Sequence, residues 1–126
     1  MLEEDIAPAV FARFLERRPE LATLFGVMLP GHLPVGCGSM VFEILCLLRD
    51  GALGESYVGG YLEDLVDGHR QFGVERALDY SEFLDTIEQV VVGMLGISWP
   101  EAERTAWARQ TRALQQRIGA LARPAR

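Results

Sequence analysis

Residues 55–74, ESYVGGYLEDLVDGHRQFGV, decide the fold. Val58, Leu62, Leu65 and His69 recur four, three and four residues apart, the spacing that lines side chains up along one face of an α-helix. A helix is therefore expected from about Glu55 to Gln71, with Gly73 stopping it. His69 occupies the apolar stripe one turn after Leu65, and an imidazole set in an apolar wall needs a partner. It is either a core histidine bonded to a backbone carbonyl or a metal ligand, since the neutral ring keeps one lone pair for a cation.

Outward from this helix the pattern stays helical. Ser39 to Arg49 is apolar almost all round, which predicts a helix buried on most of its surface, and Asp50-Gly51 and Gly54 mark its end. Further upstream, Gly26, Pro30, Gly31, Pro34, Gly36 and Gly38 make the chain from Gly26 to Gly38 a non-helical connection. Before it, Ile6, Val10, Phe11, Phe14 and Leu15 form an amphipathic stripe over Asp5 to Arg18, with Pro8 in the first turn. Arg18-Pro19 breaks that helix, and Pro19 to Phe25 has the length of a short following turn.

Downstream, Asp79 and Glu82 form a capping-box pattern ahead of Phe83, Leu84, Ile87, Val91, Met94 and Leu95, and Gly96 closes that helix. Ser98-Trp99-Pro100-Glu101 is a second such pattern, before a last helix carrying Trp107, Thr111, Leu114, Ile118 and Leu121. No convincing alternation of apolar and polar residues flanked by hairpin turns occurs, so the fold class is all-α, with five longer helices and one short one.

A chain of 126 residues that is 49% hydrophobic has the size and apolar content of one domain, residues 1–126. Its 18 acidic against 12 basic residues give a net charge of −6, which repels phosphate backbones and anionic lipid, so neither nucleic acid nor membrane is an expected partner. Cys37 and Cys46, nine residues apart on one expected helix, lie roughly 13 Å apart by helical rise, too far to pair. The longest nearly apolar run, Met40 to Leu48, is interrupted by Glu43 and is far short of the ~20 residues of a membrane span. MLEEDIAP carries acid where a secretory signal carries base, so the expected compartment is the cytoplasm. The sequence holds no HExxH, CxxC, GxSxG or phosphate-cradling glycine loop, and no catalytic residue is assigned.

Three segments resemble the globin family, in particular bacterial single-domain globins. His69-Arg70-Gln71-Phe72-Gly73-Val74, after an amphipathic helix, looks like the proximal histidine and the corner that follows it. Phe11 to Phe25, FARFLERRPELATLF, is similar to the segment that ends in the family's haem-packing phenylalanine, here Phe25. Tyr80 to Leu95, a short link and a Trp-bearing final helix resemble the family's last two helices. The likeness covers roughly residues 9 to 120 and implies a globin-like fold whose first helix is shortened or missing.

The resemblance implies haem b, iron protoporphyrin IX, with His69 on the iron and Phe25 stacked on the porphyrin. Leu65 and Val74 would line the proximal side, Phe11 would lie above the distal face, and Cys37, Met40 and Val41 would stand on the distal helix. Arg70, with Arg76, would meet the haem propionates. Tyr80 matches a tyrosine that some of these globins set beside the proximal imidazole, but the accompanying glutamate falls near Ala122, so peroxidase chemistry is not expected. The expected partner of the His69 ring is the carbonyl of Leu65, one turn back.

The implied function is binding of a diatomic gas (O2, NO or CO), or redox and gas sensing. Nitric oxide dioxygenation would be a side activity that needs an external reductase. With no strong hydrogen-bond donor facing the iron, dioxygen would be held poorly. A sixth iron ligand would come from His32, Met40 or Cys37. The alternative is a haem-free globin-fold module for sensing or protein interaction, and the apolar helices permit a homodimer.

Overall fold

Five helices carry the chain: α1 (Leu2–Arg17), α2 (Cys37–Ala52), α3 (Val58–Arg70), α4 (Ala77–Leu95) and α5 (Glu101–Ala122), with 3-10 turns at Pro19–Leu21 and Gly96–Ser98. The computed structural model describes residues 2–21, 37–71, 74 and 76–122, and among these there is no strand, so the fold is all-α as the periodicity predicts. No helix among the described residues is long and apolar enough to cross a membrane. The antiparallel-ordered pair α4 and α5 is the most extensive contact; α1 lies across α2 and α4, and α3 rests on α5 and α2.

Packing explains where the helices depart from the patterns. α1 begins at Leu2, so Pro8 sits inside the helix and not in its first turn. The proline removes one backbone donor, but Ile6, Ala7, Val10, Phe11 and Phe14 are all buried, and that burial outweighs the lost bond. Phe11 and Phe14 both meet Phe83 of α4, with ring centroids 5.4 Å and 5.1 Å away. On α4 the stripe that faces the core is Phe83, Leu84, Ile87, Val90 and Val91. Met94 and Leu95, expected on that stripe, are exposed in the last turn; α2 is buried or half-buried over residues 40–48 except at Phe42, which is 48% exposed.

Neither capping-box pattern caps a helix. α4 starts at Ala77, two residues before Asp79, from an extended Arg76 that gives no side-chain cap. Asp79 and Glu82 are turned instead to Arg18, the residue after α1. Arg18 is only 8% exposed, and its guanidinium donates to Asp79 at 2.6 Å, Glu82 at 2.7 Å and Glu20 at 2.8 Å. A buried guanidinium needs acceptors for its donors, and that demand overrides capping. Ser98 likewise donates to the Leu95 carbonyl at 2.5 Å, finishing α4 and not starting α5. Gly54 (φ 75°) and Gly96 (φ 56°) adopt the left-handed backbone that only glycine takes without strain, just past α2 and α4.

Two stability predictions follow from these ion pairs. Replacing Arg18 by Ala strands the buried Asp79 carboxylate, since Arg76, its other cation, is 3.6 Å away and largely exposed. The expected loss in urea unfolding is about 3 kcal/mol, the low end for breaking a buried pair, because Glu20 and Glu82 stay hydrated. The second prediction concerns acid. Arg18 holds the Glu20 carboxyl below its ordinary value of 4.5, and Arg49, with Tyr57, holds Asp50 below 3.8. The unfolded chain therefore takes up these protons first, so their stabilisation is complete above those values and is lost as pH falls through the lower folded ones. The urea midpoint should drop as pH falls from 4.5, and less steeply in Arg18→Ala.

Candidate ligand-binding site

α3 divides its apolar face in two. Val58, Leu62 and Val66 are buried at four-residue intervals, while Leu65 and His69 stand half-buried on the shoulder of that stripe. There they border an apolar cavity of about 50 Å³. Phe14 and Leu21 close it from the α1 side, Met40, Glu43 and Ile44 from α2, and Tyr80, Phe83 and Leu84 from α4. Val74 and Asp79 complete the wall.

The His69 ring is held in one orientation. Its Nδ1 lies 2.8 Å from the carbonyl oxygen of Leu65, the partner expected one turn back. A carbonyl only accepts, so Nδ1 carries the proton and Nε2 keeps the lone pair of the neutral ring. Tyr80 meets the imidazole edge to face, with centroids 5.7 Å apart. Its hydroxyl donates to the Val74 carbonyl at 3.4 Å, and burial pushes the phenol up to about 12, so Tyr80 is a neutral donor and not a base. Asp79 and Glu43 are the carboxylates of the cavity wall, and Arg18 meets Asp79. Glu43, the one charge in the run Met40 to Leu48, accepts from the Tyr61 hydroxyl.

The residues singled out in the sequence fall into three groups. His69, Leu65, Val74, Tyr80 and Met40 come together around the cavity. Phe11, Val41 and Arg70 do not line it. Phe11 is packed into the core on Phe83, and Phe14, one turn later, takes the place at the wall. Val41 is buried in the core, and Arg70 is exposed, paired with Asp67 at 2.9 Å and reaching the Leu121 carbonyl at 3.3 Å. Phe25 and His32 lie outside the described residues; Cys37 begins α2, and its side chain is likewise outside them. Sequence reasoning missed Phe14, Glu43, Tyr61 and Asp79. The isolated charge at Glu43 was the signal for one of these; the others depend on contacts between helices distant in sequence.

The donor chemistry suits haem, because an imidazole whose second nitrogen is fixed by a carbonyl, set in an apolar wall, is a ready iron ligand. The space does not suit it as it stands. About 50 Å³ is well under the ~300–1,000 Å³ of ordinary ligand pockets, so any group of that size requires the wall to move. Among the described residues no group of three or more metal-binding side chains occurs.

Tyr80 tests whether this wall works through its ring or its hydroxyl. Tyr80→Phe should cost only about 0.5–1 kcal/mol in urea unfolding, as the bond it loses is long. Tyr80→Ala, which removes the ring from against His69, should cost about 3–4 kcal/mol. The chain matches no protein-family model, no curated protein and no solved structure.

Proposed function

We propose that this chain is a globin-like protein that binds haem b through His69, in a site formed by widening the apolar cavity that α1, α2, α3 and α4 border. The observation that carries the reading is the 2.8 Å bond from His69 Nδ1 to the Leu65 carbonyl, which orients the ring and leaves Nε2 as its one free lone pair. When bound, haem supplies an iron that takes up a diatomic gas or exchanges an electron.

The chain's own residues do the rest. Leu65 orients the imidazole through its carbonyl, while Phe14, Ile44 and Phe83 exclude water from one side of it. Met40 brings a thioether to the same space, a second group of the kind that binds haem iron. Gas binding or sensing in the cytoplasm is the role this reading gives a wall whose carboxylates, Asp79 and Glu43, already have partners in Arg18 and the Tyr61 hydroxyl. Turnover of nitric oxide would draw its electrons from an external reductase.

The cavity volume favours a second reading, in which the domain works without haem as a sensing or interaction module and His69 is a histidine at the core edge. Hemin titration of the purified chain separates the two. The haem reading expects a saturable Soret band that His69→Ala abolishes while keeping the wild-type helical circular dichroism. Wild-type protein that leaves hemin with its broad unbound spectrum would remove the haem reading and leave the second.

A further inference from the structure

The negative charge of the chain is not spread evenly. Residues 37–70, which make α2, α3 and the turn between them, hold six carboxylates and two arginines, a net charge of −4 out of the −6 of the whole chain. Arg49 pairs with Asp50 and Arg70 with Asp67. Glu43, Glu55, Glu63 and Asp64 meet no cation among the described residues, and the last three are exposed.

The same helices carry the open aromatic surface. Phe42, Tyr57 and Tyr61 are the exposed aromatic side chains among the described residues, and the exposed Leu53 lies in the turn that joins α2 to α3. The three aromatics, with Glu43, Cys46 and Leu47, line an open groove of about 350 Å³. A second open groove, of about 410 Å³, runs past Glu43, Tyr61, Asp64, Leu65, Gly68 and His69. Because the two share Glu43 and Tyr61, they form one channel along both helices, apolar with carboxylates in its walls. Within it the rings of Tyr57 and Tyr61 stand edge to face, 6.2 Å apart.

Charge decides what can cover such a channel. A second copy of this chain, laid on the same face about a twofold axis, would set four net negative charges against four. Nucleic acid and anionic lipid are repelled for the same reason. A basic amphipathic helix meets both features, since its apolar stripe fills a channel that two helices line while its cations find carboxylates and aromatic ring faces. A groove of similar size between α1 and α4 offers neither: it is lined by Ala9, Ala12 and Met94 with one charge of each sign, Arg13 and Glu16, and no aromatic ring.

We propose that the α2–α3 face is a docking surface for a partner protein that presents an amphipathic helix bearing lysine or arginine. The apolar stripe of that helix packs on Phe42, Tyr57 and Tyr61, and its flanking cations pair with Glu43 and Asp64. Docking needs no iron on His69, so it stands apart from the haem reading.

The chain contains no lysine, and the test exploits this. A synthetic helix with leucines on one face and lysines on its flanks is mixed with the ligand-free chain at about 0.15 M salt and treated with a carbodiimide, which joins a carboxylate to an amine only where the two already touch. Mass spectrometry should find the peptide on Glu43, Glu63 and Asp64 and not on Glu16, Glu101 or Glu103. In anisotropy titrations of the labelled peptide, Phe42→Ser should weaken binding about fivefold or more, the loss that marks an interface residue of consequence. Asp64→Lys should weaken it about tenfold, and Glu103→Lys, the same change of charge on α5, less than roughly twofold because salt screens it. The same peptide with glutamate for lysine should not bind.

Crosslinks scattered equally over the acidic residues of α1, α4 and α5 overturn the docking surface. So does a folded Phe42→Ser protein that binds as tightly as wild type, since charge alone then holds the peptide. A chain that sediments as a dimer, and as a monomer once Phe42 is Ser, overturns it in favour of self-association. Peptide capture at Glu43 and Asp64 by a chain that takes up no hemin leaves the docking surface standing and removes the haem reading.

Discussion

A guanidinium is taken out of water only where acceptors surround it, and Arg18 is buried where the first helix meets the fourth. Asp79, itself 8% exposed, answers it most closely, with Glu82 and Glu20 alongside. The pair fixes more than a helix crossing, because Asp79 is also part of the cavity wall and Tyr80, Phe83 and Leu84 follow it on the same helix. Anchoring the first turn of α4 to Arg18 therefore sets the position of one whole side of the site. The aromatic contacts of Phe11 and Phe14 with Phe83 hold the same junction by apolar burial, so charge and packing act together there.

The remaining helices are held unequally. α5 is fastened to α4 along its solvent edge by Arg112, which donates to Asp85 at 3.0 Å and Glu88 at 2.7 Å, and by Gln115, which reaches the Ser81 carbonyl at 2.9 Å. Beneath these, Thr111, Leu114 and Ile118 are buried. α3 rests on α5 and α2, and its Leu65 and His69 shoulder borders the cavity.

What was legible in the sequence follows the range of the interactions involved. Helices announce themselves within a dozen residues, and the all-α class, the five long elements and the Gly54 and Gly96 stops are local patterns of that kind. The bond from His69 to the Leu65 carbonyl was legible for the same reason, being fixed by one helical turn. Asp79 and Glu82 read as a cap because their true partner, Arg18, is 61 and 64 residues away, a distance at which spacing carries no information. The place of Phe14 at the cavity, where Phe11 was expected to face a ligand, turns on the rotation of α1 against α4. Both phenylalanines lie on the same apolar stripe, and only the packed structure tells which one borders the space.

The small cavity also constrains the energetics of whatever binds there. A ligand larger than about 50 Å³ engages only those molecules in which the cavity wall has opened, so its apparent affinity is its intrinsic affinity multiplied by the open fraction. That penalty falls on access alone. The ring of His69 is oriented before opening, by a carbonyl of its own helix, and that bond does not depend on the position of α2. Access is thus governed by contacts between helices, and the direction of the imidazole by contacts within one. Substitutions in the wall outside α3 can change how often a ligand enters without changing the direction of the imidazole it meets. Substitutions that disturb the turn from Leu65 to His69 act on the imidazole itself.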